Sequence, residues 1–303
     1  MGRVLVQIGS RSIGDTVSCI PYIDKFRENT DDEIFVELND GFIFLFEKTY
    51  PGLRFIGRDS NLIFDKILNI EYKYESAYKD SVQSSFAKQL GFIDPPYLRP
   101  RIEMEDLPRP IKGKYITIGI HSTSQMKYWN HPSGKRVQPE SPYWDELCRM
   151  IRKEGVIPVV VEPYEMFGVP PYRNGMPRSS NKKHGGSLIE SMNLVKHSEF
   201  YIGLSSGMSW IAHAMGKPVA MISNFTEDWN EFDVTLEDYK RISNKSVCHG
   251  CWNRVGKDFE FDKDDWYWCP KHKGTERQFE CHTSITPQMV FDEIKDWIYS
   301  IKE

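Results

Sequence analysis

Two serines and a glycine, Ser205, Ser206 and Gly207, stand between a short apolar run and a helical pattern in IGLSSGMSWIAHAMGKPVAMIS, residues 202–223. The first turn of a helix offers unpaired backbone N–H groups and the positive end of the helix dipole, so such a turn can bind an anion. Close packing is the alternative, because Gly207 would also let a helix lie near a sheet. The turn alone leaves both interpretations open.

Three charged side chains could act with this turn on a sugar diphosphate. Lys127 and the amides near Ser206 and Gly207 would stabilise a departing diphosphate without a metal ion. Glu162, which ends an apolar run, suits the hydroxyls of a ribose, although it could equally be a solvated strand end. Asp15 could take a proton from an attacking hydroxyl, but a carboxylate in a first helical turn commonly compensates the helix dipole.

Four of the six cysteines lie in one short C-terminal segment: Cys248, Cys251, Cys269 and Cys281. In a cytoplasmic chain such crowding favours a metal over disulfides. Four thiolates suit tetrahedral Zn²⁺ or a rubredoxin-like iron, and their spacing does not separate the two. We expect a structural metal, because a site closed by four protein ligands leaves no open position for a substrate. No catalytic metal is expected.

Composition and charge narrow the class of protein. The chain has 303 residues and a formal net charge of −4, which argues against a dedicated nucleic-acid binder. The N-terminal sequence does not resemble a signal peptide, and no apolar run is long enough to cross a bilayer. We therefore expect a soluble protein, cytoplasmic or at most peripheral, that has no transmembrane segment and does not bind nucleic acid.

Strand and helix patterns alternate twice along the chain and are separated by a segment rich in proline and charge, residues 95–114. Such alternation predicts a parallel, wound α/β sheet on each side of the segment. Ligands of open α/β sheets bind at the carboxyl ends of the strands. We therefore expect GSRSIGD, HSTSQMKYWN and SSGMS to meet in a cleft between the two halves.

Longer motifs resemble a known family. The stretch IGDTVSCIPYIDKF resembles the N-terminal motif of the heptosyltransferases, which are glycosyltransferases of GT-B fold. The stretches GIHSTSQMKYWN, WNEF, VCHGCWN and WCPKHKGTERQFECHTSITPQMV are more narrowly similar to bacterial autotransporter heptosyltransferases. The match is long and specific from the linker onward and thinner over the first hundred residues.

The resemblance implies an inverting transferase with two Rossmann-like domains facing across a cleft. Residues 1–108 would form the acceptor side, and residues 109–303 would bind the nucleotide sugar and include a metal lobe at 246–283. Asp15 would then match the family's base, Lys127 its diphosphate-binding lysine and Glu162 the acidic residue near the ribose. The remaining substrate-binding positions would be Gly14, Thr123, Ser205, Ser206, Gly207 and Met208. Among the metals, the resemblance favours iron.

Two departures from the family bear on the acceptor. Many lipopolysaccharide heptosyltransferases have Asp at the position of Ser205. The serine in this chain fits the autotransporter branch better. That branch carries an additional N-terminal region, and because the first strand is predicted to begin at Arg3, we expect that region to be absent. The acceptor and the oligomeric state are therefore open.

The predicted function is transfer of a heptose or related sugar from an ADP-sugar to a hydroxyl acceptor, which includes the serine or threonine of an autotransporter-type protein. One alternative is an epimerase acting on a nucleotide sugar, but the cleft offers no convincing further acid–base set. The other is a metal-stapled binding module without transferase activity. Binding of a nucleotide would separate that module from the enzyme.

Overall fold

The computed structural model describes residues 2–122, 129, 142–162, 166–167, 174–183 and 186–301. The first half contains a four-stranded parallel sheet with the strand order β3-β2-β1-β4. Its strands are β1 (Arg3–Ile8), β2 (Glu33–Leu38), β3 (Arg54–Gly57) and β4 (Lys66–Ile70). Its helices are α1 (Ile13–Arg27), α2 (Asp40–Ile43) and α3 (Val82–Gln89). The apolar residues of β1 and β2 are largely buried, as expected for central strands of a parallel sheet.

The second half contains a six-stranded parallel sheet with the order β12-β11-β10-β5-β6-β9. The strands of this half are β5 (Tyr115–Gly119), β6 (Ile157–Val161), β7 (Met166–Phe167), β8 (Asn174–Gly175), β9 (Asn181–Lys183), β10 (Tyr201–Leu204), β11 (Val219–Ile222) and β12 (Tyr239–Ile242). Its helices are α4 (Pro142–Lys153), α5 (Leu188–His197), α6 (Gly207–Ala214), α7 (Glu280–Thr283) and α8 (Pro287–Ser300). Strands β7 and β8 form a separate antiparallel pair.

The two predicted wound α/β halves are confirmed, and they differ from the expectation only in small elements. The short helix α2 begins after Asn39, which caps its start by accepting the N–H of Gly41 at 3.0 Å. The edge strands β9 and β12 were not predicted. Each has only three or four residues, which is too few for a periodic pattern.

The proline-rich segment between the halves has no helix or strand in residues 95–114. It runs along α6, where the N–H of Ile102 donates to the carbonyl of Ala214 at 2.9 Å. Arg99 donates to the carbonyl of His213 and pairs with Asp238 at 2.7 Å. The segment is therefore held against the second half. The exact boundary at 108/109 stays a prediction.

Residues 246–283, the metal lobe, consist mainly of turns, with one short 3-10 turn (Trp252–Arg254) and helix α7. Its apolar side chains form a small separate cluster around Phe225, Cys251 and Trp268. In the part of the chain that the structure describes, no helix has the length and hydropathy needed to cross a membrane.

Candidate active site and metal centre

Asp15 lies in the first turn of α1, just beyond the carboxyl end of β1. The hydroxyl of Ser10 donates to Asp15 Oδ2 at 2.5 Å and so orients the carboxylate. Ser12 begins the helix without a side-chain hydrogen bond to its first turn. Ser10 thus holds the carboxylate of Asp15 at the beginning of the helix.

The beginnings of α1 and α6 touch each other through two glycines. A Cβ atom on Gly207 would lie 2.2 Å from Ile13 Cγ2, and one on Gly14 would lie 3.1 Å from Trp210 Cδ1 and 3.3 Å from the Cα of Gly207. A side chain at position 207 would force Ile13 to move, and one at position 14 would make a contact tighter than usual, so the two glycines favour this close approach. It brings the positive ends of two helices, one from each half, to the same place.

A cavity of about 380 Å³ opens beside this contact. Its lining comes from both sheets and from the metal lobe: Ser10, Ser12, Gly14, Asp15, Tyr72, Tyr74, Val82, Ser122, Ser205, Ser206, Gly207, Trp210, Phe225, Thr226, Asn230, Glu231, Trp252, Phe261, Lys263 and Trp266. The structure thus brings the predicted Gly14, Asp15 and Ser205–Ser206–Gly207 turn together. Met208 and Glu162 do not line the cavity. Thr123 and Lys127 lie outside the described residues.

The turn before α6 has the geometry of an anion site. Ser206 is the N-cap in an extended conformation, and its side chain makes no capping hydrogen bond to the first turn. Residues Gly207 and Met208 then begin the helix, so their amides point out of its positive end. Met208 itself is partly buried and packs against the core. Its contribution to the turn is therefore its backbone.

Glu162 follows β6 directly and is only 7% exposed. Its Oε1 accepts the backbone N–H of His121 at 2.9 Å, which joins the ends of the neighbouring strands β5 and β6. Burial raises its pKa to about 8, and the backbone N–H groups of His121 and Ile120 only partly offset that effect. The solvated strand end considered from the sequence is therefore wrong for this residue.

One carboxylate in the lining of the cavity, that of Glu231, was not predicted from the sequence, and this residue is only 3% exposed. It accepts hydrogen bonds from Ser205 and Thr226 and pairs with Arg241 at 2.8 Å. The available signal was its place in WNEF, one of the family-like motifs. Its chemistry was not apparent, because Arg241 lies on the unpredicted strand β12.

The CxxC pair has the form of a metal-binding knuckle. The thiol sulfurs of Cys248 and Cys251 lie 3.8 Å apart. With metal–sulfur bonds of about 2.3 Å, the corners of a tetrahedron are separated by about the same distance. Gly250 between them has φ +64°, and a Cβ there would lie 2.0 Å from Glu227 Oε1, so the turn requires glycine. The two thiols fit a shared metal ion.

The other two cysteines lie close enough to influence the first pair. Burial, and then the charges of Cys251, Cys269 and Cys248, raise the pKa of the Cys281 thiol. Burial and Cys248 together raise the pKa of Cys251 to about 12. Clustered thiols of this kind can be thiolates together when a cation lies between them. The donor set therefore fits a metal.

A second set of donors surrounds Cys248. Its sulfur, a ring nitrogen of His272 and a carboxylate oxygen of Glu280 all lie within 4.8 Å of one another. Glu280 is already engaged, because it pairs with Arg277 at 2.6 Å and accepts the N–H of Cys248 at 3.3 Å. The lobe thus contains side chains that could bind a metal ion, and the set of four cysteines stays a prediction.

The metal lobe bridges the two halves immediately after the knuckle. Trp252 stacks on Tyr72 of the first half, with ring centroids 5.8 Å apart, and donates to its hydroxyl at 2.9 Å. Asn253 donates to the carbonyl of Ala77 and to the side chain of Asn230. Trp252 also lines the cavity. The fold of the lobe therefore fixes part of the wall of the candidate active site.

No family model matches the chain. Among curated proteins, it is 29% identical to the autotransporter heptosyltransferase Aah of Escherichia coli over 308 residues, which are 96% of this chain and 73% of Aah. It is also 27% identical over 300 residues to BimC of Burkholderia thailandensis, described as an inactive autotransporter heptosyltransferase. That alignment covers 95% of this chain and 67% of BimC.

Solved structures agree with these relatives. The iron-containing dodecameric glycosyltransferase TibC of enterotoxigenic E. coli H10407 superposes with a TM-score of 0.87 and 28% identity, over 99% of this chain and 77% of TibC. TibC has also been solved in complex with ADP-D-beta-D-heptose. The E. coli ADP-heptose lipopolysaccharide heptosyltransferase II shares the fold, with a TM-score of 0.61 at 12% identity over 99% of this chain and all of that one. The chain is a glycosyltransferase of GT-B fold, similar in sequence and structure to the bacterial autotransporter heptosyltransferases.

Proposed function

We propose that the chain transfers a heptose, or a related sugar, from an ADP-sugar to a hydroxyl acceptor with inversion at the anomeric carbon. The observation that carries the proposal is the meeting of two helix beginnings in one cavity. One of them presents the Asp15 carboxylate, and the other presents the uncapped amides of α6. This arrangement separates a base from an anion site, as a displacement reaction requires.

In the proposed reaction the acceptor oxygen attacks the anomeric carbon while its proton passes to Asp15. The bond from that carbon to the diphosphate oxygen breaks, and ADP leaves with the negative charge. The amides of Gly207 and Met208, together with Lys127, stabilise this charge. Ser10 keeps the Asp15 carboxylate oriented toward the cavity. Glu162 would accept hydroxyls of the ribose, with Thr123 and Gly14 completing the donor and acceptor contacts.

The acceptor side is assigned to residues 1–108 and the donor side to residues 109–303, with the lobe at 246–283. The names of the relatives support an autotransporter-type protein, through a serine or threonine, as the acceptor. All six cysteines are free thiols in the structure, which suits the reducing cytoplasm as the compartment.

The metal in the lobe is assigned as iron, with zinc as the alternative, because TibC is described as iron-containing and both metals suit four thiolates. Its ligands would be Cys248, Cys251, Cys269 and Cys281. The ion supplies structural cross-linking of the lobe. No step of the sugar transfer passes through it.

The experiment is the hydrolysis of ADP-heptose, in which water takes the place of the acceptor hydroxyl, followed as release of ADP for the wild-type protein and for Asp15→Asn. We expect turnover by the wild type and a loss of about a hundredfold or more in the variant, the size typical of a general base. Asp24→Asn is the matched control, because Asp24 lies on the same helix and pairs with Arg27 at 2.9 Å. Equal rates in Asp15→Asn and wild type would contradict the role of Asp15.

The second candidate function is binding of the nucleotide sugar without catalysis. It is supported by the relative BimC, which is described as an inactive autotransporter heptosyltransferase. Such a protein would bind ADP-heptose without releasing ADP. The same assay therefore separates the two, provided that binding is measured on the same preparation.

A further inference from the structure

The cavity contains a second carboxylate besides Asp15, that of Glu231, which takes no part in the proposed reaction. Glu231 lies in the loop after β11 and lines the cavity beside Ser205 and Thr226. Its side chain is 2% exposed, so nearly all of its contacts are with the protein. A buried carboxylate beside an anion site is costly unless its charge is compensated.

Arg241 on β12 provides that compensation. Its Nη1 lies 2.8 Å from Glu231 Oε2, and its Nη2 donates to the carbonyl and the hydroxyl of Thr226 at 2.8 and 2.6 Å. Burial lowers the pKa of this guanidinium, but the charges of Glu231 and Tyr239 and the hydrogen bonds to both together outweigh burial, and the pKa is raised. The pair is therefore ionised and carries no net charge. It can place carboxylate oxygens in the cavity without repelling a diphosphate strongly.

The hydroxyl protons on this wall point toward the carboxylate. Ser205 Oγ donates to Glu231 Oε1 at 2.5 Å, and Thr226 Oγ1 donates to Oε2 at 2.9 Å. A serine or threonine hydroxyl has one proton, so both oxygens can offer a ligand only lone pairs, and one lone pair of Thr226 already accepts from Arg241 Nη2. Phosphate oxygens at neutral pH are acceptors as well. A phosphate would therefore find no donor here, whereas a sugar hydroxyl would find acceptors.

We infer that one side of the cavity recognises a hydroxyl of the transferred sugar. This side, the Glu231 wall, consists of Ser205, Thr226 and Glu231. The amides that follow Ser206 bind the diphosphate. The inference rests on the proposed function and deepens it. It divides the Ser205–Ser206–Gly207 turn, which the sequence assigned as a whole to the phosphates, into a sugar side and a phosphate side.

The test is titration of ADP-heptose and of ADP alone into the wild type, Ser205→Ala and Glu231→Gln. We expect both variants to bind ADP-heptose about tenfold or more weakly, the effect of one hydrogen bond to a charged group, and to bind ADP within about twofold of wild type. Ser206→Ala is the matched control from the same turn, and the ratio of its two affinities should stay within about twofold of the wild-type ratio.

The outcomes distinguish the claims. An equal loss of affinity for ADP and ADP-heptose in Ser205→Ala would mean that Ser205 binds phosphate, and an unchanged affinity for both would mean a purely structural role. Either result overturns the inference and leaves the proposed function standing. If wild type binds neither ligand, the proposed function fails and the inference fails with it. Because Glu231→Gln leaves Arg241 unpaired and could misfold, Ser205→Ala decides when the Glu231 variant is not folded.

Discussion

Glu162 shows how the local environment of a single residue determines its chemistry. It is buried at the end of β6, and its pKa is raised from the ordinary value of 4.5 to about 8. In the unliganded protein near neutral pH it is therefore protonated in a large share of the molecules. A protonated carboxyl can donate a hydrogen bond as well as accept one, which suits the hydroxyls of a ribose.

The raised pKa makes the stability of the protein depend on pH. The folded state holds this proton more tightly than the unfolded chain, so the contribution of Glu162 is fully present below about 4.5 and is lost as pH rises through about 8. We expect Glu162→Gln to remove this dependence. In urea unfolding at a series of pH values, the stability of wild type minus that of the variant should fall between pH 4.5 and 8.

Glu105→Gln, at an exposed position, is the matched control for this series. Its difference from wild type should stay flat over the same range. A flat difference for Glu162→Gln as well would show that the carboxyl group is not buried in solution as it is in the structure.

The sequence could reveal those site residues whose type and local position are enough to indicate their function. Asp15 in a strand-to-helix turn and the Ser-Ser-Gly turn can be found in this way. Glu231 could not be found, because it and its partners Ser205 and Arg241 lie on three separate segments of the second half. Pairing across a sheet leaves no signal in local spacing.

At the scale of elements, the site depends on the contact of α1 with α6 and on the lobe that closes the cavity. The strands and helices around the contact were predictable, because their apolar runs are long enough to show a period. The close approach of Gly14 and Gly207 was not predictable, since the sequence does not indicate which residue Gly14 contacts. The lobe has little periodicity, so its cysteines were the main indication of its structure.

The lobe should lose its order when its metal is lost. We expect Cys251→Ser to bind no metal, to melt at a lower temperature than wild type and to be cleaved by protease within residues 246–283, because the small cluster around Trp268 cannot order the lobe alone. Metal content by mass spectrometry, thermal melting and limited proteolysis measure these effects.

Cys148→Ala is the matched control for that variant. Cys148 is a buried residue of α4 in the core of the second half and lies outside residues 246–283, so its loss should change the melting temperature without changing the metal content. A Cys251→Ser protein that melts normally and contains no metal would contradict the structural role of the ion.

At the scale of the whole molecule, two parallel sheets, a linker held along α6 and a bridging lobe form one cavity. The Trp252 contact to Tyr72 and the Asn253 contact to Ala77 tie the lobe to the first half, while Gly250 donates to the carbonyl of Asn224 in the second half. The alternation of strands and helices predicted the two halves. It did not predict the lobe as a bridge, because such contacts join segments about 180 residues apart in the chain.

Isothermal titration can show whether this cavity binds an ADP-sugar. Wild type and Asp15→Asn would each be titrated with ADP-heptose, and with GDP- and UDP-sugars for comparison. We expect selective binding of ADP-heptose by both proteins, because Asp15 acts on the acceptor and is not needed to hold the donor. Absence of binding to any nucleotide sugar by either protein would contradict it.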